Sequence, residues 1–478
     1  MTCSPQGQEI RTGNPENRRH IHMKELTVRQ IADAVGGKVI CGRPAMTVSR
    51  VSRDSRDVDG RTLFFALRGE NRDGHSFIRD VVGQGCTALI ISDEESLKQV
   101  ENEYVTAVLV EDTTKALQIL AAWYLRELDI TVVGITGSVG KTTTKDLLYA
   151  ACREKYKTGA TKGNYNNHIG LPLTVLYFDE DVQVGVLEMG MDKYGEIDFL
   201  AGLARPHIAV ITCIGSAHIE FFGSRENIMK AKMEITNYLQ PSDTLVISKD
   251  GDLLRPENVK GDYRLVTSGE DDDSDYVVSG IVDNGAAGME FDLKNMWMTQ
   301  HFMIPAAGRH NVLNAAVAAA AAGQLNITME EAARGMAKAE MTGKRLAFKR
   351  NENKKIDIID DTYNASPEAM KAAIDQLMAV PGERKIAILG DMYELGDSGE
   401  ELHREIGRYA EKKGVDLVLG VGPLGSLIAG ECDGRGRAYE TKKELKKDLK
   451  KILLEGDTIL VKASRGMALD EIAEELLK

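Results

Sequence analysis

The stretch "VVGITGSVGKTTTKD", Val132 to Asp146, constrains this chain more than any other. An apolar strand breaks into a glycine-spaced turn, and Lys-Thr-Thr opens what reads as a helix. The pattern departs from GxxxxGK[ST], because Ile135 stands where the first glycine is wanted. The physics survives the change. Gly137 and Gly140 let successive backbone N–H groups converge on phosphate oxygens, and the N-terminus of the following helix favours an anion. Lys141 would reach the β- and γ-phosphates of a nucleoside triphosphate, and the Thr142 hydroxyl would hold Mg²⁺.

Strands and helices alternate around that turn, which predicts a doubly wound parallel sheet. The helix "TTKALQILAAWYLREL" leads into the turn, and buried strands follow at "VQVGVLEMG", "HIAVITCIG" and "DTLVISKD". The stretch from Ser274 to Pro305 reads as antiparallel strands added at one edge. "RHNVLNAAVAAAAAGQL" then closes this part with a tightly packed helix. Past Gly343 the alternation restarts in "KIDIIDD", "KIAILGD", "VDLVLGVG" and "DTILVKAS", which predicts a Rossmann-like domain without GxGxxG. Ahead of the turn, "LTVRQIADAVGG" reads as a helix with a Thr27–Gln30 capping box, ended by Gly36 or Gly37. The expected fold is α/β in three domains. A small N-terminal α/β module spans 23–110, a central P-loop domain 111–342 and a C-terminal domain 343–478. Residues 1–22 are polar and aperiodic, and are expected to be a disordered tail.

The formal net charge of −13 argues against nucleic acid as a partner, since such proteins carry a basic stripe or patch. No apolar run is long enough to span a membrane, and the start lacks a signal-peptide core. The six cysteines are scattered without a CxxC pair, which fits reduced thiols and a cytoplasmic setting. "GEDDDSD" reads as a solvated acidic loop.

Several residues could carry chemistry by position alone. Glu188 ends an apolar strand beside the glycine turn, where a carboxylate can bind Mg²⁺. His218 follows another strand, and is either a ligand or a satisfied structural histidine. Lys232 lies in a helical stretch, where solvation is the plain reading. "GNYNNHIGLP" offers amides to a phosphate or peptide, or is only a turn. "DDTYNASPEAM" puts Asp360 and Asp361 at a strand's end, before a helix capped near Ser366.

In order along the chain, "GITGSVGKTTTK", "GNYNNHIGLP", "LEMGM", "SAHIEFFGSRENIMKAKMEI", "GRHNVLNAAVAA", "DDTYNASPEAM" and "LGDMYELG" resemble the Mur ligases. The resemblance runs from Met23 to Lys478. It implies an ATP-dependent carboxylate–amine ligase that works through an acyl phosphate. ATP would lie on Thr136, Gly137, Ser138, Val139, Gly140, Lys141, Thr142 and Thr143. Asn311 would face the adenine, Arg345 a phosphate and Asp361 the ribose. Two Mg²⁺ ions are implied, one on Thr142 and Glu188 and one on His218. Lys232 matches a lysine that the family carbamylates with CO2, so the implied catalytic set is Lys141, Glu188, His218 and Lys232.

"SRDSRDVDGRTLFFALRGENRDGHSFI" is similar to the family's uridine-nucleotide module, with Ser52, Asp54, Ser55 and Arg56 in the diphosphate region. Asn166 or Asn167 would lie near the muramoyl group. "DDTYNASP" and "LGDMYELG" are the more specific parts of the resemblance, which implies UDP-N-acetylmuramoyl-tripeptide as one substrate and a C-terminal domain that presents D-alanyl-D-alanine, with Asn364 and Ser366 in the loop facing the cleft. A monomer that closes about hinges near residues 110 and 343 is expected. The alternatives are a family member adding another amino acid, or a folylpolyglutamate synthase-like ligase, which lacks the uridine module. A P-loop switch would carry a guanine motif such as NKxD, and none is present.

Overall fold

The computed structural model describes residues 23–100, 104–343 and 346–478. The expected tail and Arg345 lie outside them. The chain forms two compact units. One contains residues up to Leu120 together with Leu176–Glu180, and the other contains Ala121–Val175 and Asp181–Lys478. The boundary falls inside the helix Thr113–Leu128, whose span matches the apolar periodicity of the sequence.

The first unit is built on a five-stranded sheet in the order Lys38–Cys41, Thr106–Leu109, Ala88–Ile91, Thr62–Phe65, Arg50–Ser52. All neighbours run parallel except the first pair. The central strands are buried on both faces, as parallel strands between helices must be. The helix Val28–Val35 begins with the predicted capping box between Thr27 and Gln30, and Gly36 ends it.

The second unit carries two sheets. The larger has nine strands among the described residues, with the P-loop strand Thr131–Thr136 between Val184–Glu188 and Ile208–Ile211. Its parallel part continues through Thr244–Ser248 and Arg264–Gly269. Tyr276–Asp283, Met289–Lys294 and Thr299–Ile304 extend that edge, and the last two pairings are antiparallel, as the alternating sequence there predicts. The alanine-rich helix Arg309–Gln324 packs on the P-loop helix Lys141–Cys152, small side chains letting the backbones approach. The smaller sheet has the order Ala347–Asn351, Ile356–Asp361, Asp457–Lys462, Arg384–Gly390, Leu417–Val421, Gly436–Tyr439, and only its first pair is antiparallel. The helix Pro367–Ala379 starts at Ser366, whose hydroxyl accepts from the Ala369 N–H, with Pro367 in the first turn. Among the described residues, no helix is long and apolar enough to cross a membrane.

Candidate active site

The glycine turn sits at the carboxyl end of the P-loop strand, where open α/β sheets receive ligands. A Cβ on Gly137 would collide with Thr212 Oγ1, and one on Gly140, at φ 89°, with the Asn314 amide. Only glycine fits both positions. Asn314 itself donates to the Asn311 carboxamide oxygen at 3.0 Å, and Asn311 donates to the Ala307 carbonyl at 2.7 Å. The predicted adenine-side asparagine is thus fixed within a small amide network against the turn. Lys141 Nζ lies over the turn, donating to the Gly137 carbonyl at 2.7 Å. The hydroxyls of Thr136 and Ser138 are buried without a protein partner among the described residues.

Glu188 and Thr142 meet as predicted. The Thr142 hydroxyl donates to Glu188 Oε2 at 2.9 Å, both side chains are buried, and Asn166 donates to Glu188 Oε1 at 2.8 Å. Two hard oxygen ligands side by side fit an Mg²⁺ ion, which would replace the hydroxyl proton's contact. The sequence left Asn166 and Asn167 equal, and the fold separates them. Asn167 directs its oxygen to the N–H groups of Ile169 and Gly170 at the start of a short helix, while Asn166 reaches the buried carboxylate.

The helix Arg225–Met233 carries two lysines, Lys230 and Lys232. Lys230 is exposed, whereas Lys232 is 2% exposed. Lys232 makes no hydrogen bond or ion pair with a described residue. Burial, reinforced by the positive charge of Lys141, holds its amine well below the ordinary lysine pKa. A buried amine whose pKa is pushed down fits a carbamate, because CO2 adds to the free base only.

His218 has a left-handed backbone, φ 65°, at the start of Ile219–Phe222. Its Nδ1 lies 2.5 Å from Glu394 Oε2, off the hydrogen-bonding line, and 3.5 Å from Asp192 Oδ1. Ligand atoms of these three residues fall within 4.8 Å of one another. Burial lowers the His218 pKa, against the pull of Glu394.

The C-terminal sheet meets the central one here. Glu368 Oε1 accepts from the N–H and the hydroxyl of Ser216 at 2.8 and 2.9 Å, and the Glu220 N–H donates to the Glu394 carbonyl. Beside these contacts lies a cavity of about 250 Å³, lined among others by His218, Asn364 and Ser366. Asp361 sits one strand-end away, accepting from Lys462 Nζ at 2.6 Å; the same ammonium donates to the Asn364 carbonyl at 2.8 Å.

A second network ties the P-loop helix to the chain leading into the C-terminal sheet. Asp146 accepts from the N–H and hydroxyl of Thr342, while Lys145 pairs with Asp146 and donates to the Thr161 carbonyl. Thr161 in turn accepts from the Glu188 N–H. Asn314, Glu368, Lys462 and the Lys145–Asp146 pair escaped the sequence reading. Lys462 had a signal, since it ends a buried strand as Asp361 does.

In the first unit, Ser52, Asp54, Ser55 and Arg56 form one turn after the strand Arg50–Ser52. The Asp54 N–H donates to the Ser52 hydroxyl, and Arg56 grips the Asp54 carboxylate through Nε at 2.9 Å and a terminal nitrogen at 2.8 Å. That hydrogen bond holds the Asp54 pKa below the usual carboxylate range.

Family models match in three consecutive segments: the Mur ligase family, catalytic domain over residues 47–124, the Mur ligase middle domain over 135–322, and the Mur ligase glutamate ligase domain over 344–465. The chain is 41% identical over 463 residues to UDP-N-acetylmuramoyl-tripeptide–D-alanyl-D-alanine ligase of Bacillus subtilis (strain 168), covering 95% of this chain and 99% of that one. Among solved structures, MurF from Acinetobacter baumannii superposes with a TM-score of 0.86 at 30% identity, covering 95% of this chain and 99% of that one. MurF ligase from Thermotoga maritima in complex with ADP gives a TM-score of 0.77 at 30% identity, covering 90% and 97%.

Proposed function

Because this chain belongs to the Mur ligase family, we propose that it joins D-alanyl-D-alanine to UDP-N-acetylmuramoyl-tripeptide using ATP, in peptidoglycan precursor synthesis. The observation that carries this reading is the full-length match to ligases of that specificity, together with a P-loop facing a buried Glu188–Thr142 pair.

The chemistry follows from what a carboxylate lacks. Its negative charge and resonance repel an amine, so the tripeptide carboxylate first attacks the γ-phosphorus of ATP and ADP departs. The turn's N–H groups and Lys141 stabilise charge as the phosphoryl group moves between oxygens. Mg²⁺ held by Thr142 and Glu188 would supply further charge neutralisation when bound. The dipeptide amine then adds to the acyl phosphate, and the tetrahedral intermediate expels inorganic phosphate. The bond from Asn166 to Glu188 supports assigning Asn166, rather than Asn167, to the muramoyl substrate. Lys232 would present an anionic oxygen once carbamylated, which an ammonium at the same place could not do. Arg345 and Asp361 are assigned to phosphate and ribose, Asn311 to the adenine side, and the turn at Ser52–Arg56 to the uridine diphosphate.

The test is product mass and phosphate release with ATP, UDP-N-acetylmuramoyl-tripeptide and D-alanyl-D-alanine, each omitted in turn. Ligated product only when all three are present is the expected outcome. Product with a different amino acid in place of the dipeptide would move the chain elsewhere in the family.

A further inference from the structure

The helix Lys442–Ile452 is strongly basic in an acidic chain. Its sequence, KKELKKDLKKI, holds six lysines and two carboxylates, against a net charge of −13 for the whole protein. Leu445, Leu449 and Ile452 are buried and fix which side faces the core. With 3.6 residues per turn, Lys443, Lys447 and Lys450 fall on the opposite side, along a ridge about 10 Å long. All three are exposed.

The lysines that flank the ridge are paired. Lys442 and Lys446 reach Glu471 at 3.0 and 3.4 Å, and Lys451 reaches Asp448 at 3.2 Å. The ridge lysines differ. Among the described residues, none of their three ammonium groups has an ion pair or a hydrogen bond. Like charges three and four positions apart repel along a helix, so the ridge does not help the fold that carries it. The neighbouring helix Gly399–Lys413 shows the usual arrangement, with Arg408 on Glu401 and Lys413 on Asp375.

We propose that this ridge is a docking surface for an anionic lipid bilayer, with Lys443, Lys447 and Lys450 set among the phosphate headgroups. Charge and residue type select the occupant. Three unpaired cations in a row complement a dense anionic surface, and screening over about 8 Å at physiological salt weakens repulsion from the acidic remainder of the chain. Protein partners are met through aromatic, Met and Arg side chains, and lysine is depleted at such interfaces. The ridge holds lysine alone. It also lacks the aromatic and arginine faces on which nucleic-acid bases stack. Point charges on long stems suit mobile headgroups, which demand no fixed geometry.

The experiment floats the full chain with vesicles of phosphatidylcholine alone, or with about one-third phosphatidylglycerol, at about 0.05 M and about 0.5 M salt. Flotation with the anionic vesicles only, lost at the higher salt, is the expected result. Each lysine at such a surface contributes roughly fivefold in partitioning, so Lys443→Gln, Lys447→Gln and Lys450→Gln combined should lose on the order of 100-fold. Lys260→Gln, Lys294→Gln and Lys412→Gln combined remove the same charge from exposed positions elsewhere, and should stay within about twofold of wild type. Both variants should keep the wild-type circular dichroism. A wild type that ignores anionic vesicles, equal flotation with neutral ones, or equal losses in the two triple variants would each overturn the proposal. Ridge-dependent binding of polyglutamate or of an oligonucleotide, without binding to vesicles, would overturn it too and move the partner to an acidic protein or a nucleic acid.

Discussion

Two regions of the second unit bury a lysine almost completely, and treat it in opposite ways. In the C-terminal sheet Lys462, 2% exposed, is tied to Asp361 and to the Asn364 carbonyl. Near the P-loop Lys232, equally buried, has no hydrogen bond or ion pair with a described residue. A buried charge is tolerated when paired, and an unpaired one is discharged or modified. Burial alone therefore does not tell these two lysines apart. The partner does.

The largest expected effect separates them by activity. Lys232→Ala should lose on the order of 10²–10³-fold in turnover while remaining folded, as loss of one anionic group at a phosphoryl-transfer site would give. Short-chain carboxylic acids should restore part of the phosphate release. If they fail to, or if they rescue a Lys462 variant equally well, the contrast between the two lysines does not rest on a carbamate.

The next effect is on stability. Lys462→Met leaves Asp361 buried beside an apolar chain, and breaking such a pair costs about 3 kcal/mol. Chemical denaturation should report that loss, and a midpoint unchanged from wild type would mean that water reaches Asp361 freely. Lys232→Met should act in the opposite direction. The depressed pKa of Lys232 means that the unfolded chain binds a proton the folded chain lacks, from the folded value up to the ordinary 10.5. Stability of the wild type then rises with pH across that window. In CO2-depleted buffer the methionine variant should be more stable than wild type below that window, and its advantage should narrow toward pH 10.5. A variant less stable than wild type at pH 7 would mean that Lys232 has a partner in solution.

What the sequence disclosed follows the same division. The capping box at Thr27 and Gln30, the cap at Ser366 and the glycine turn are local, each set by residues within a few positions, and each stands where the pattern put it. The edge strands from Tyr276 to Ile304 were legible for the same reason. Lys462 meets Asp361 across 101 residues and Ser216 meets Glu368 across 152, and no spacing within one segment announces either. The separations of Asn166 from Asn167 and of Lys230 from Lys232 depend on which way a turn or helix face points. Composition cannot supply that, and only the packed fold does.

The smallest effect probes the network that joins the two regions. Thr342 donates its N–H and its hydroxyl to Asp146 on the P-loop helix, just before the chain enters the C-terminal sheet. Thr342→Val keeps the shape and the N–H bond but removes the hydroxyl. One hydrogen bond to a partly buried carboxylate is worth about 1 kcal/mol, so the denaturation midpoint should fall by that amount. Lys145 still pairs with Asp146 and the Thr161 carbonyl, so Glu188 keeps its place and turnover should stay within a few-fold of wild type. A turnover loss comparable to that of Lys232→Ala, with stability intact, would mean that this anchor sets how the two sheets meet during the reaction. The contrast between a chemical region and a structural one would then have to be redrawn to include the link between them.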